Sequence, residues 1–298
     1  MIPDEVTRRD PGLFTTIQLS EHTTWGIGGS CTAARPRTPE ELASVLCSLE
    51  GESIPWTVLG RGSNTLAPTR GWRGVVVMLA GGFRNYSFRG NTLVAGGAAP
   101  LPSMAGAACS NDLAGIEFAV GIPGTAGGGL CMNAGAYGSC IGDVVESVSV
   151  FDPVEGSMEI DGAGCLFGYR TSAFQKGRRV VTEVRLRLAR GNGTLRARAA
   201  ELLALRREKF PLDMPNAGSV FRRPLNGPSP GKLIEDCGLK GKILGKAMVS
   251  PVHANFIVNL GGATSDDVLG LMELVAERVL RETGFQLFPE VKILGEAE

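Results

Sequence analysis

Only two histidines, His22 and His253, occur in this 298-residue chain, which excludes a histidine-rich metal centre. Seven cysteines (Cys31, Cys47, Cys109, Cys131, Cys140, Cys165 and Cys237) are scattered, with no C-x-x-C and no close pair at metal-ligand spacing. An odd, dispersed set fits reduced and mostly buried thiols; a nucleophilic Cys–His pair is the disfavoured alternative. Net charge is absent too. Thirty basic and thirty acidic residues cancel, so no global field selects nucleic acid or an anionic membrane. The longest apolar runs, such as 74–79, are strand-sized and far short of a bilayer span. The opening MIPDEVTRRD lacks the basic-then-apolar order of a secretory leader, so a cytoplasmic location is expected, with no metal, nucleic-acid or membrane partner.

Glycine is in excess: 42 of 298 residues, about twice ordinary usage. The excess is clustered, which points to close backbone approach rather than to disorder. The length suits two or three domains. Thr38-Pro39-Glu40-Glu41 reads as an N-cap, a first-turn proline and a capping-box acid, followed by an apolar stripe at Leu42, Val45, Leu46 and Leu49. Strands are expected at 56–59 and 75–79, making a small β–α–β unit over 1–80. From 81 to 194 the pattern shifts to short strands (92–95, 144–151, 180–188) with a helix over 101–112. A charged connector helix over 195–209 opens a third region, 195–284, with a short helix at 232–237 and a strand at 256–260. Thr264-Ser265-Asp266-Asp267 caps a long helix whose buried face is Val268, Leu271, Met272, Val275 and Val279, with Gly284 as its stop. The tail, 286–294, reads as a last strand that joins the second region as part of 285–298. Glu296 and Glu298 read as a solvated tail.

Two glycine clusters and one serine carry chemistry. Gly60-Arg61-Gly62-Ser63-Asn64 follows a strand, so its N–H groups form a potential anion-binding nest. Residues 121–129, GIPGTAGGG, repeat the arrangement on a larger scale. Neither ends in Gly-Lys-Ser/Thr, and neither fits the Gly-x-Gly-x-x-Gly dinucleotide fingerprint. Each alone is more readily a tight turn with no ligand; two in one chain shift the balance towards a diphosphate-containing cofactor. In MPNAGSVFRR, residues 214–223, Ser219 sits among small residues, and is either a proton donor or a turn former.

Eight strings occur in order: GRGSN, GIPGTAGG, MNAGAYG, GYRTSAF, NAGSVF, GKLIEDCGLKG, HANFIVN and FPEVKILG. Together they resemble the UDP-N-acetylenolpyruvoylglucosamine reductases, flavoenzymes of peptidoglycan precursor synthesis, over residues 23–295. The compact stretch 232–256 is similar to the short-loop (type II) form. The resemblance implies an α+β fold: a vanillyl-alcohol-oxidase-type (PCMH-type) FAD-binding unit of two α+β subdomains plus a C-terminal α+β substrate domain. It implies non-covalent FAD, with Gly60, Arg61, Gly62, Ser63, Asn64, Gly121, Ile122, Gly124, Thr125, Gly127 and Gly128 along its diphosphate and ribityl chain. Asn133 and Ala134 would lie near the flavin, and His22 reads as a strand-end hydrogen-bonding residue.

The implied reaction uses NADPH as co-substrate and moves hydride through FAD to the enolpyruvyl ether of UDP-N-acetylglucosamine enolpyruvate. The carbon beside the carboxylate is then protonated. By resemblance Arg170 grips the carboxylate, Ser219 donates the proton, and Glu290 supports it from a partly buried position where its pKa would rise. Lys209, Arg223, Lys232, His253 and Asn255 are the implied substrate contacts, and a monomer is expected. One departure stands out: the Phe-Lys-Asn-Pro of many relatives is Phe221-Arg222-Arg223-Pro224 here, with Asn226 as a possible substitute for the missing asparagine. Another FAD oxidoreductase of this fold, or a non-catalytic flavin-binding paralogue, would be expected to lose the Arg170–Ser219–Glu290 set, which this chain retains.

Overall fold

A computed structural model describes residues 12–295. The N-terminal MIPDEVTRRD stretch and the tail glutamates Glu296 and Glu298 lie outside the described residues. The first region is a four-stranded mixed sheet in the order Phe14–Gln18, Ser30–Ala34, Val75–Val77, Trp56–Val58. Its helix, α1 (Pro39–Gly51), starts where the sequence places it: Thr38 Oγ1 accepts the Glu41 N–H at 3.3 Å. Leu42, Val45, Leu46 and Leu49 are all buried against the sheet. The first two strands are an addition to the expected β–α–β unit.

The second region is a five-stranded antiparallel sheet, ordered Gly156–Asp161, Val145–Asp152, Val180–Arg187, Thr92–Gly96, Tyr86–Arg89. The three expected strands form its centre; the two outer ones are half-exposed and gave little apolar signal. Helix α2 (Leu101–Ser110) packs in the same core. A short helix, α3 (Ala126–Cys131), was hidden by its own composition, AGGGLC, because glycine is a poor helix former. It forms because Thr125 Oγ1 caps the Gly128 N–H, and because its glycines allow close packing. A Cβ on Gly127 would sit 3.0 Å from the Gly97 carbonyl oxygen.

Helix α4 (Leu195–Lys209) is more than a connector: Leu195, Ala199 and Leu202 are buried in the second region's core. The third region comprises a small antiparallel sheet (Ile243–Leu244, Ala247–Val249, Ile257–Asn259), α5 (Pro230–Asp236) and α6 (Ser265–Thr283). The capping box on α6 is complete, with the Asp267 N–H given to Thr264 Oγ1 at 3.0 Å and the Thr264 N–H to Asp267 Oδ2 at 2.9 Å. All five expected apolar positions are buried, and Gly284 ends the helix in the left-handed region at φ 74°. Trp25, from the first region, is fully buried in this third core and donates Nε1–H to the Ile257 carbonyl at 2.8 Å.

The tail departs from the reading of one long strand. Only Lys292–Ile293 is strand, and it pairs in parallel with Thr65–Leu66 of the first region rather than with the second. Pro289 is the physical reason: it brings no N–H to a ladder, and it makes a single bridge to Phe221. Among the described residues no helix is long and apolar enough to cross a membrane. Among the described residues no cysteine forms a disulfide. Cys31, Cys109, Cys165 and Cys237 are buried, and burial pushes the Cys165 thiol up to about 11.

Candidate active site

The three regions meet around a cavity of about 1330 Å³. The loop 60–64 forms part of its wall. Gly62 is in the left-handed region at φ 59°, and a Cβ there would fall 2.3 Å from the His22 carbonyl oxygen. Gly60 is constrained less tightly: a Cβ there would meet the Thr125 Oγ1 side chain at 2.9 Å. Ser63 Oγ donates to the Pro123 carbonyl at 2.5 Å, joining the two glycine clusters. Among the described residues, none of the five N–H groups of Gly60, Arg61, Gly62, Ser63 and Asn64 has a protein acceptor. Five unspent donors beside a large cavity fit a phosphate-bearing group.

The second cluster behaves differently. Gly127 N–H goes to the Gly97 carbonyl at 2.8 Å and Gly128 N–H to Thr125 Oγ1 at 3.2 Å, so these donors serve the fold. Ile122, Gly124, Thr125, Gly127, Gly128 and Ala134 still line the cavity. Gly121 does not; it makes room for the Arg206 stem, whose Cδ would lie 2.5 Å from a Cβ at this position. Asn133 is also buried away from the cavity. It donates Nδ2–H to the Gly168 carbonyl at 2.9 Å and accepts the Gly142 N–H at 3.0 Å, propping the turn that carries Arg170. His22 does not line the cavity; its Nε2 lies 3.4 Å from the Arg35 guanidinium.

Arg170, Ser219 and Glu290 all reach the cavity wall. Arg170 sits at φ 54°, unusual for a side-chain-bearing residue. Its Nε donates to Glu290 Oε1 at 2.8 Å and its Nη2 to the Gly135 carbonyl at 3.2 Å. Glu290 is 9% exposed. Burial raises its pKa, outweighing the opposing pull of Arg170 and, more weakly, Arg222. Ser219 follows Gly218, whose φ of 78° makes the bend, and its hydroxyl has no protein partner among the described residues.

Ser219 and Glu290 are held on one short ladder. The Glu290 N–H goes to the Val220 carbonyl at 2.7 Å, and the Arg222 N–H to the Phe288 carbonyl at 2.9 Å. Asn64 locks the ladder to the glycine loop: its Nδ2 donates to the Glu290 carbonyl at 3.2 Å, and its carbonyl accepts the Lys292 N–H at 2.9 Å.

The expected substrate contacts fare less well. Lys209, Arg223 and Lys232 are exposed and do not line the cavity; Lys232 Nζ pairs with Asp236 Oδ1 at 2.5 Å. Asn226, the possible substitute, is exposed as well. His253 forms a three-ring cluster with Phe210 and Phe256 and accepts the Asn255 N–H on Nδ1 at 3.2 Å; burial lowers its pKa. Asn255 is a backbone clamp. Its Oδ1 accepts the Phe221 N–H at 3.0 Å and its Nδ2 donates to the Phe221 carbonyl at 2.9 Å, fixing the segment that presents Ser219.

The sequence reading missed Arg206. It lines the cavity with its guanidinium 5.0 Å over the Phe210 ring, desolvated by burial and with no carboxylate partner among the described residues. A signal was present: Arg206 lies one turn beyond Leu202 on the buried stripe of α4, whereas Lys209 is the exposed last residue of the helix. Tyr137 was missed too; it lines the cavity and donates its OH to the Leu202 carbonyl at 3.3 Å.

The raised Glu290 pKa has a thermodynamic consequence. Between the ordinary value of 4.5 and the raised one, the folded state holds more proton than the unfolded chain. Its stabilising contribution is therefore complete below 4.5 and lost as pH rises through the raised value. Urea denaturation of wild type and Glu290→Gln across that window should show the difference moving in favour of the variant as pH increases. A difference independent of pH would refute the assignment.

Family models match two stretches: residues 210–294 match the UDP-N-acetylenolpyruvoylglucosamine reductase C-terminal domain, and residues 32–160 an FAD binding domain. The chain is 43% identical over 286 residues to the UDP-N-acetylenolpyruvoylglucosamine reductase of Caldanaerobacter subterraneus subsp. tengcongensis, covering 95% of this chain and 94% of that protein. It is 42% identical to that of Heliobacterium modesticaldum, covering 94% and 90%. The crystal structure of the Thermus caldophilus enzyme superposes with a TM-score of 0.81 at 35% identity, covering 94% of this chain and 98% of the other.

Proposed function

This chain belongs to the UDP-N-acetylenolpyruvoylglucosamine reductase family, and from that premise we propose that Arg170, Glu290 and Ser219 are the groups that perform its chemistry. Its fold is the vanillyl-alcohol-oxidase-type FAD-binding unit with a C-terminal α+β domain. The reaction is the NADPH-dependent reduction of UDP-N-acetylglucosamine enolpyruvate to UDP-N-acetylmuramate. FAD, when bound, carries the two electrons between NADPH and the enolpyruvyl ether. The observation that carries the residue assignment is the 2.8 Å Arg170–Glu290 pair on the cavity wall, joined to Ser219 through the Val220–Glu290 ladder.

The loop 60–64 holds the FAD diphosphate through its unspent N–H donors. With Nε committed to Glu290 and Nη2 to Gly135, Arg170 keeps Nη1 for the substrate carboxylate, where negative charge grows as the methylene carbon is reduced. Ser219 Oγ–H then gives its proton to the carbon beside that carboxylate. Glu290, with Oε1 on Arg170, retains Oε2 and a raised proton affinity to sustain that transfer. Arg206, rather than Lys209, supplies the cavity-facing cation for a nucleotide diphosphate. The protein acts in the cytoplasm as a monomer, without nucleic-acid or membrane partners.

The test is turnover by the purified, flavin-loaded enzyme. NADPH oxidation is expected to require UDP-N-acetylglucosamine enolpyruvate and to yield UDP-N-acetylmuramate in equal amount. Oxidation at the same rate without that substrate would overturn the reading.

A further inference from the structure

Arg170 holds a backbone conformation, φ 54°, that an L-residue adopts only under constraint. One constraint comes from Gln175. Its Nε2 donates to the Arg170 carbonyl at 2.7 Å and touches Met132 Sδ at 3.3 Å. Its main-chain carbonyl accepts Lys292 Nζ at 3.4 Å, two residues beyond Glu290. Gln175 thus spans the two segments that bear the opposite ends of the Arg170–Glu290 ion pair.

The base from which it reaches is fixed. The Gln175 N–H turns back to the Ser172 carbonyl at 3.4 Å, the buried Phe174 N–H goes to Ser172 Oγ at 3.2 Å, and Ser172 Oγ donates to the Cys131 carbonyl at 2.8 Å. Gln175 also lines the cavity. A donor amide is required at this place: the Arg170 carbonyl accepts, so a side chain without an N–H or O–H leaves it unanswered.

We propose that Gln175 is a positioning residue for the enolpyruvyl-reducing step, holding the Arg170 turn and the strand after Glu290 in the relative placement that aligns the guanidinium on the substrate carboxylate. The inference rests on the assignment of Arg170 and Glu290 above. It gives Gln175 no contact with reacting atoms. Its loss slows the step that Arg170 serves while leaving electron entry from NADPH alone.

Two variants of the flavin-loaded enzyme test this. Gln175→Met keeps the length and the packing against Met132 but removes the donor. Gln175→Glu sets an acceptor against an acceptor. Stopped-flow spectroscopy separates flavin reduction by NADPH from reoxidation by UDP-N-acetylglucosamine enolpyruvate. Gln175→Met should slow reoxidation at saturating substrate by roughly two- to tenfold, about the worth of one hydrogen bond, and Gln175→Glu by more. Substrate affinity, flavin retention and the reductive half-reaction should stay within about twofold of wild type, a split that general loosening of the fold would not produce.

Equal slowing of both half-reactions, or wild-type reoxidation in both variants, overturns the proposal. Arg170→Met, run in parallel, distinguishes the two levels. If it is slow in reoxidation while Gln175→Met is not, the positioning role alone fails. If Arg170→Met reoxidises at the wild-type rate, the site assignment fails and takes this inference with it.

Discussion

Ser219→Ala is expected to take electrons from NADPH at nearly the wild-type rate and to reduce UDP-N-acetylglucosamine enolpyruvate roughly 10²- to 10⁴-fold more slowly, the usual worth of a positioned proton donor. The substitution is clean in this structure. The Ser219 hydroxyl has no protein partner among the described residues, so alanine abandons no hydrogen bond. The neighbouring backbone is fixed independently, by the Asn255 clamp on Phe221 and by the Val220–Glu290 contact. Melting temperature and flavin content should therefore be unchanged. Rapid-mixing measurement of each half-reaction decides the matter: a loss confined to substrate reduction identifies the donor, whereas equal losses in both halves would make Ser219 a residue of shape only.

Arg170→Met should cost as much in rate and more in stability. Removing a preorganised donor at a developing oxyanion costs about 10²- to 10³-fold. It also strands Glu290, which is 9% exposed. Breaking a fully buried ion pair costs roughly 3–5 kcal/mol; a smaller loss is expected here because the Arg170 side chain is 25% exposed and Glu290 can take up a proton instead. The double variant Arg170→Met/Glu290→Gln separates the two effects. It should recover most of the stability, by thermal or urea denaturation, and none of the activity. Recovery of activity along with stability would mean that Arg170 serves the fold and not the substrate.

What could be read in the sequence was what is decided locally. Helix 265–283 was legible from end to end because its cap, its apolar stripe and its terminal glycine are all fixed by near neighbours. The glycine composition of loop 60–64 was visible in the sequence, but the partners that hold it, Pro123 and Glu290, lie 60 and 226 residues away. The last strand was overestimated because apolar alternation was counted and the missing N–H of Pro289 was not. Helix 126–131 was invisible because packing, not propensity, forms it.

Arg170, Ser219 and Glu290 come from separate segments, and no spacing rule brings them together; their motifs proposed them, and the fold places them on one cavity wall. Asn255, expected to contact substrate, is hydrogen-bonded to the backbone of Phe221 on the Ser219 segment, 34 residues away, which no local pattern announces. Arg206 went unremarked because a cation on the buried stripe of a charged helix stands out less in a sequence than one beside a motif.

The Asn64 clamp has a consequence for the order of biosynthesis. Its side chain reaches a carbonyl 226 positions later in the chain, and its own carbonyl waits for the Lys292 N–H. A nascent polypeptide can build the strands of the first sheet and the second, yet loop 60–64 lacks its Asn64 partners until residues 290–292 have emerged. A chain cut before residue 290 is therefore expected to hold flavin poorly even if its first two sheets form.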